Sequence, residues 1–214
     1  MSNTSLNKKI TAKGRETKDK IFRTAVELFS KNGINGVSIR DITSAINIKE
    51  SSLYHHYASK EDLINDIYLY FGDRINFTRL SEAKIQASLE ENNGFDLLNR
   101  CLQEFRSVME EPLMSMTWRI ISIQQYYDEK AFEILSIDFH KMRVKYYENI
   151  FRALIKKRLI KTLDPKLLAY EYFYTLLGIL TEYNVLKFSK RKTAQMESLM
   201  AEHVEFFWNK IKNN

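Results

Sequence analysis

Apolar residues recur at helical spacing along most of the chain, and short polar segments interrupt the pattern. The first pattern predicts a helix over about residues 17–32, with Thr17 as its N-cap and Gly33 as the left-handed residue that ends it. Its inward-facing residues are Ile21, Ala25, Leu28 and Phe29. The segment before it, residues 1–15, is basic and has few apolar residues, so we expect a flexible arm there.

Residues 38–57 predict two further helices, both short and separated by a turn. Ser38-Ile-Arg-Asp41 matches a capping box, and Ile39, Ile42 and Ile46 mark one face of a short second helix. Asn47 tolerates the left-handed conformation and predicts a sharp turn, after which Ile48 anchors the turn in the core. A third helix is expected from about Lys49 to His56, with Leu53 and Tyr57 facing inward. Two short helices joined by a tight turn and braced by a preceding helix are typical of a helix-turn-helix unit.

The remainder of the chain predicts further helices and no strands. Ser59-Lys-Glu-Asp62 repeats the capping pattern and opens a fourth helix. Later breaks are expected at residues 92–94, 111–112, 127–128 and 164–165, and Pro112 and Pro165 suit first turns. The segment 166–188 is apolar on several sides, so it requires burial from more than one direction, which its own domain or another chain can supply. With only two prolines and six glycines, the sequence predicts an all-α protein.

Charge is unevenly distributed along the chain. Residues 1–60 contain 11 Lys/Arg and 5 Asp/Glu, a difference of +6, and residues 61–214 contain 22 of each, a difference of zero. The excess positive charge therefore coincides with the predicted helix-turn-helix unit. A basic module on a neutral body favours a polyanionic partner such as DNA.

The composition narrows the class of protein further. The single cysteine, Cys101, excludes an internal disulfide framework and fits a reducing compartment. The N-terminus has no apolar stretch typical of a secretory signal, and the charge-free run Tyr172–Thr181 is far shorter than the roughly 20 residues of a membrane span. The sequence thus predicts a soluble cytoplasmic protein.

Residues 38–60 contain the candidate DNA contacts. In a helix-turn-helix unit the second helix enters the major groove, and its N-terminal residues meet base edges. We expect base contacts from Lys49, Glu50, Ser51, Ser52 and His55. Because an acid repels phosphate, Glu50 either accepts from a cytosine amino group or pairs with Lys49. Phosphate contacts are expected from Ser38, Arg40, Tyr54 and Lys60.

Residues 17–71 resemble the N-terminal domain of the TetR/AcrR family of bacterial transcriptional regulators. The stretch LYHHYASKEDL, residues 53–63, is similar to the most diagnostic part of that family, and Ser38-Ile-Arg-Asp-Ile42 also matches. Two positions depart from the family pattern, because Asn47 stands where glycine is usual and Lys49 where a small capping residue is common. The third helix therefore lacks a side-chain cap that contributes about 1 kcal/mol.

The resemblance implies a three-helix DNA-binding domain (residues 16–60) followed by a helical effector-binding and dimerisation domain (residues 61–214), with helix 61–75 as the connector. It implies a homodimer formed through the last two long helices, a palindromic DNA operator, and an unknown small-molecule effector that releases a repressor. For the effector contacts we select five residues with an apolar body or a charge within an apolar stretch. These are Trp118, Arg119, Tyr126, Tyr172 and Tyr174. Arg119 and Glu182 could instead pair with each other.

Other classes of function remain as alternatives. An enzyme is not expected, because the chain has no phosphate-binding glycine loop, metal-ligand spacing or nucleophile motif around Cys101. His55 and His56 do not predict a metal site, since neighbouring helical residues point apart. No cofactor is expected. A non-enzymatic helical adaptor is the main alternative, although an adaptor does not require basic charge confined to the first 60 residues.

Overall fold

The computed structural model describes residues 12–213, and this range contains α-helices and no strands. A single bridge between Ile160 and Lys212 joins two loops. The helices are α1 (Ala12–Asn32), α2 (Ile39–Ala45), α3 (Glu50–Tyr54), α4 (Lys60–Ile75), α5 (Glu82–Glu90), α6 (Gly94–Met109), α7 (Pro112–Gln124), α8 (Glu129–Phe132), α9 (His140–Lys156), α10 (Pro165–Phe188) and α11 (Ala194–Ile211). The predicted all-α fold class is confirmed.

Helix α1 begins earlier than predicted. It starts at Ala12, and the hydroxyl of Thr17 donates to the carbonyl of Lys13 inside the helix. The predictions that Thr17 is the N-cap and that residues 12–15 belong to a flexible arm are therefore wrong. The rest of the predicted arm, residues 1–11, lies outside the described residues. The C-terminal end is as predicted, because Gly33 has φ +75° and its N–H bonds the carbonyl of Phe29.

The turn between α2 and α3 follows the sequence signals closely. The Ser38 hydroxyl accepts from the Asp41 N–H, and the Asp41 carboxylate accepts from the Ser38 N–H at 2.7 Å, which completes the capping box. Asn47 has φ +53°, so the predicted left-handed turn is confirmed. Lys49 provides no side-chain cap for α3. Helix α3 has only five residues, Glu50–Tyr54, fewer than the eight predicted.

Two buried clusters meet within α4. Leu63 and Ile67 pack with α1, α2 and α3, whereas Tyr68 and Phe71 pack with the later helices. The first cluster also includes Ile120 of α7, so α7 contributes to both cores. We call the residues around the first cluster, 12–67, the head, and residues 68–213 the body. Helix α4 therefore connects a small core to a large one.

The predicted breaks in the body are confirmed. Asn93 caps α6, Pro112 occupies the first turn of α7, Asp128 caps α8, and Asp164 caps α10 ahead of Pro165. One feature was not predicted: Glu133–Phe139, between α8 and α9, is a π-helix. Such wider turns are frequent at functional sites. A 3₁₀ turn, Asn76–Thr78, follows α4.

Candidate nucleic-acid interface

Helix α3 presents a polar face to solvent and has one residue, Leu53, buried in the core of the head. Leu53 is fully buried in the head, whereas Glu50, Ser51 and His55 are exposed and Tyr54 is 50% exposed. Ser52 is half-buried. The predicted base contacts therefore lie together on an accessible surface, with the Tyr54 hydroxyl at its edge.

Some of the hydrogen-bond donors at the N-terminus of α2 already have partners within the chain. Besides accepting from the Asp41 N–H, the Ser38 hydroxyl lies 2.7 Å from the Asp41 carboxylate. These hydrogen bonds lower the pKa of Asp41, so the carboxylate stays charged at neutral pH. Ser38 thus acts first as a helix cap. Arg40 is exposed beside it and is the better placed of the two for a phosphate.

Lys60 has a partner within the fold that the sequence did not reveal. Its Nζ donates to the carbonyl of Ile34 at 2.6 Å and lies 5.6 Å from the ring centre of Phe29. The side chain therefore fastens the α1–α2 loop to the start of α4. A contact to phosphate remains a prediction, because an ammonium group has two further N–H donors.

We expect Lys60→Met to lower the free energy of unfolding by about 1–2 kcal/mol, since it removes a charged donor from the Ile34 carbonyl and leaves it only the longer bond from the Val37 N–H at 3.4 Å. Lys49→Met is the matched control, because Lys49 is exposed and makes no cap bond; its effect is expected within about 0.5 kcal/mol. Urea denaturation measures both values. Equal stability of the two variants would show that the bond to Ile34 does not form in solution.

His55 and His56 lie closer together than the sequence suggested. Because α3 ends at Tyr54, the two residues occupy a turn, and their ring centres are 5.4 Å apart in an edge-to-face contact. The expectation that they point apart is wrong. Burial, with a smaller contribution from the nearby ammonium group of Lys18, lowers the pKa of His56, so the neutral form of His56 is favoured at pH 7.

The end of α3 is tied to α1 and α4 by a polar network. The Tyr57 hydroxyl donates to the Asp66 carboxylate at 2.7 Å, and Lys18 Nζ lies 3.0 Å from the same carboxylate. Lys18 Nζ also lies 4.9 Å from the ring centre of Tyr57. Burial and the bond to Asp66 raise the pKa of Tyr57. This network fixes the orientation of α3 relative to the rest of the head.

The head also contacts the body through polar groups. Arg119 of α7 donates to the carbonyl of Ser30, and its guanidinium lies 3.5 Å from the ring centre of Phe188. Lys130 donates to the side chain of Asn65 at 2.9 Å. Arg119 contacts Ser30 and Phe188 and forms no ion pair with Glu182. A contact between Arg119 and an effector remains a prediction. These contacts join α7 and α8 of the body to α1 and α4 of the head.

The other predicted effector contacts are dispersed. Trp118 packs against Phe71 and Phe139 in the core, and the fully buried Tyr172 donates its hydroxyl to the carbonyl of Leu98. Tyr126 is 78% exposed. Tyr174 stacks on Tyr170 beside a shallow cavity of about 350 Å³. The structure does not bring these residues together, and their role as ligand contacts remains a prediction.

A larger cavity of about 550 Å³ lies between the 3₁₀ turn, α5 and α9. Arg79, Leu80 and Tyr146 line one side of it, and none of the five predicted effector contacts lines it. Behind this side lies Arg143, a fully buried arginine that sequence reasoning missed. No local signal marks Arg143, because its burial depends on the packing of α9 against residues 76–80 and α6.

An apolar stripe along α10 is exposed to solvent. The exposed members of this α10 stripe are Leu167, Tyr170, Tyr174, Val185 and Phe188. Gly178 continues the stripe, and a Cβ added at Gly178 meets no atom within 4 Å. On α11, Leu199 and Phe206 are exposed as well. Exposed apolar residues along one helix face are typical of interaction surfaces.

Known proteins with a similar sequence include transcriptional regulators. Residues 21–67 match the family model described as bacterial regulatory proteins, tetR family. A curated relative is IcaR of Staphylococcus epidermidis, the negative transcriptional regulator of the biofilm operon icaADBC. It is 26% identical over 182 residues, which cover 82% of this chain and 91% of the relative.

Solved structures of similar fold cover nearly the whole chain. A TetR-family regulator from Mesorhizobium loti has a TM-score of 0.64 and 20% identity, covering 95% of this chain and all of that one. A transcriptional regulator from Saccharomonospora viridis in complex with choline has a TM-score of 0.60 and 16% identity, covering 94% of this chain and all of that one. Within residues 12–213, no helix is long and apolar enough to cross a membrane.

Proposed function

Because this chain belongs to the TetR family of bacterial transcriptional regulators, we propose that it represses transcription by binding a palindromic operator as a homodimer. The observation that carries the proposal is the exposed face of α3, which is anchored by Leu53. It lies within residues 1–60, the part of the sequence that holds all of the excess positive charge. A face of this kind fits the major groove. The IcaR relative is itself a negative regulator, which supports repression over activation.

The α10 stripe supports the homodimer. Burying its exposed tyrosine and aliphatic side chains against a second copy removes apolar surface from water, which favours association. A two-fold dimer then holds two α3 helices for successive major grooves, with half-site centres about 34–36 Å apart or a multiple of that distance. The operator is therefore expected to be a palindrome.

Release by a small molecule follows from the contacts between head and body. A ligand in the body favours one arrangement of α4 and α7 only by its difference in affinity between the two arrangements. Since α4 and α7 contribute to both cores and Arg119 reaches Ser30, that preference changes the separation of the two heads. The separation that fits DNA is then less populated.

The roles assigned to individual residues are tested by exchanging them on selected DNA. Arg40→Ala and Tyr54→Phe are each expected to weaken binding to all DNA sequences by the same factor. Arg40→Ala is also expected to make the affinity less dependent on salt, by an amount that corresponds to about one phosphate contact. Ser51→Ala and His55→Ala are expected to change which sequence is preferred, at about 1–3 kcal/mol per contacted base pair. Affinities on a panel of single-base operator variants measure both effects. A uniform loss from all four variants would contradict the assignment.

A further inference from the structure

Arg143 of α9 carries a charge that the surrounding protein does not neutralise. Its side chain is fully buried, and its one hydrogen bond runs from Nη1 to the carbonyl of Thr78 at 2.9 Å. Both Nε and Nη2 are buried without a partner. Among the described residues no carboxylate forms an ion pair with it, since the ion pairs of α9 join Lys145 and Arg152 to Glu148.

The unpaired atoms lie on one edge of the guanidinium. Nε–H and Nη2–H point in parallel, and this edge binds the two oxygens of a carboxylate side by side. The opposite edge is occupied by Thr78. An arginine held in this way by the protein is pre-oriented, with its carboxylate-binding edge left free.

The surroundings of Arg143 keep its charge and stabilise it through aromatic rings, without a paired anion. Burial lowers the pKa of Arg143 to about 10, so the group is still protonated at neutral pH. Its neighbours are aromatic: the guanidinium carbon lies 4.5 Å from the ring centre of Phe105, 5.8 Å from that of Phe139 and 6.0 Å from that of Tyr146. A buried cation without a paired anion is strongly unfavourable. An anion that enters this site therefore gains a strong partner.

Tyr146 connects Arg143 to the large cavity. Its ring faces the guanidinium, and the same side chain lines the cavity of about 550 Å³, a size that suits a small organic molecule. The Tyr146 hydroxyl also accepts from the N–H of Leu80, which lies just beyond Thr78. The Arg143 and Tyr146 bonds together fasten the segment after α4 to α9, so a ligand that displaces Tyr146 acts at the end of the connecting helix.

We propose that the body takes an effector with a carboxylate on an apolar body, and that the carboxylate binds the Nε–Nη2 edge of Arg143 while the apolar part occupies the cavity between the 3₁₀ turn, α5 and α9. This inference rests on the proposed function in that it identifies the chemical class of the effector. Phe139, the last residue of the π-helix Glu133–Phe139, packs against the guanidinium of Arg143.

Matched pairs of an acid and its neutral amide test the proposal. Phenylacetate with phenylacetamide, and hexanoate with hexanamide, are added at equal concentrations to the full chain while the melting temperature is measured. We expect at least one carboxylate to raise the melting temperature by about 2 °C or more above its amide. Carboxylates and amides that shift the melting temperature alike would overturn the proposal.

Variants then locate the effect. In Arg143→Gln the preference for the carboxylate is expected to vanish, and in Arg143→Lys to shrink, because lysine keeps the charge but not the two-pronged edge. Lys156→Gln, an exposed cation on the same helix, is expected to keep the full preference. A preference that survives in Arg143→Gln contradicts the site. If Arg143→Gln does not fold, the Nε–H resonance of Arg143 in the ¹⁵N-labelled wild type decides, since it must shift with the carboxylate and not with the amide.

The two proposals fail separately. A protein that binds selected duplex DNA but shows no preference for carboxylates contradicts only the effector class. A protein that prefers carboxylates through Arg143 but binds no DNA sequence selectively contradicts only the proposed function.

Discussion

Leu53→Ala is expected to lower the free energy of unfolding of the head by about 2–5 kcal/mol and to abolish binding to any DNA. Leu53 is the only fully buried residue of α3, a helix of five residues that has no side-chain cap. A helix of five residues is not stable by itself, so α3 is expected to unfold when Leu53 no longer anchors it. Chemical denaturation and a DNA-binding titration on the same variant measure the two losses.

Ser51→Ala is the matched control for this variant. Ser51 lies on the same helix but is exposed, so its replacement is expected to change stability by no more than about 0.5 kcal/mol. It changes the preferred DNA sequence instead. If Leu53→Ala retained wild-type affinity for DNA, α3 would not be the element that enters the groove.

Gly178→Arg is expected to split the homodimer into single chains of 25.4 kDa that remain folded. A side chain at Gly178 meets no atom of its own chain within 4 Å, and arginine favours a helix by up to about 1 kcal/mol over glycine. The monomer therefore tolerates the change. In a dimer formed through the α10 stripe, the same side chain places a charge in an apolar interface, which is strongly unfavourable.

Light scattering after size-exclusion chromatography measures the mass, and circular dichroism measures the helix content. Ala87→Arg, an exposed change on α5 outside the α10 stripe, is expected to leave the mass unchanged. Operator affinity should fall steeply in Gly178→Arg because each monomer reads only half a palindrome. A folded Gly178→Arg protein that kept the mass of a dimer would exclude the α10 stripe as the interface.

Local signals in the sequence were sufficient to predict the helix-turn-helix unit. The capping box at Ser38, the left-handed turn at Asn47 and the missing cap at Lys49 depend only on neighbouring residues. The start of α1 was missed because its first turns lie beyond the core and carry no apolar pattern. Ion pairs along the helix, such as Glu16 with Lys20 and Asp19 with Arg23, extend it instead.

Features that depend on distant residues could not be predicted. Lys60 bonds the carbonyl of Ile34, which lies 26 residues earlier in the chain, and Arg119 contacts Ser30 across 89 residues. The burial of Arg143 likewise results from contacts with Thr78 and Phe105 on other elements. A polar side chain gives no sequence signal of its own burial. The predicted effector contacts were consequently dispersed, while the unpaired arginine was overlooked.

Selection of bound sequences from random duplex DNA by the full chain tests the central claim most directly. The account predicts strong enrichment of one palindromic motif, with half-site centres a whole number of helical turns apart, and affinity that falls steeply as salt concentration rises. No enrichment over the starting pool, or a single unrepeated motif bound by an isolated chain, would contradict the claim that paired α3 helices read an operator.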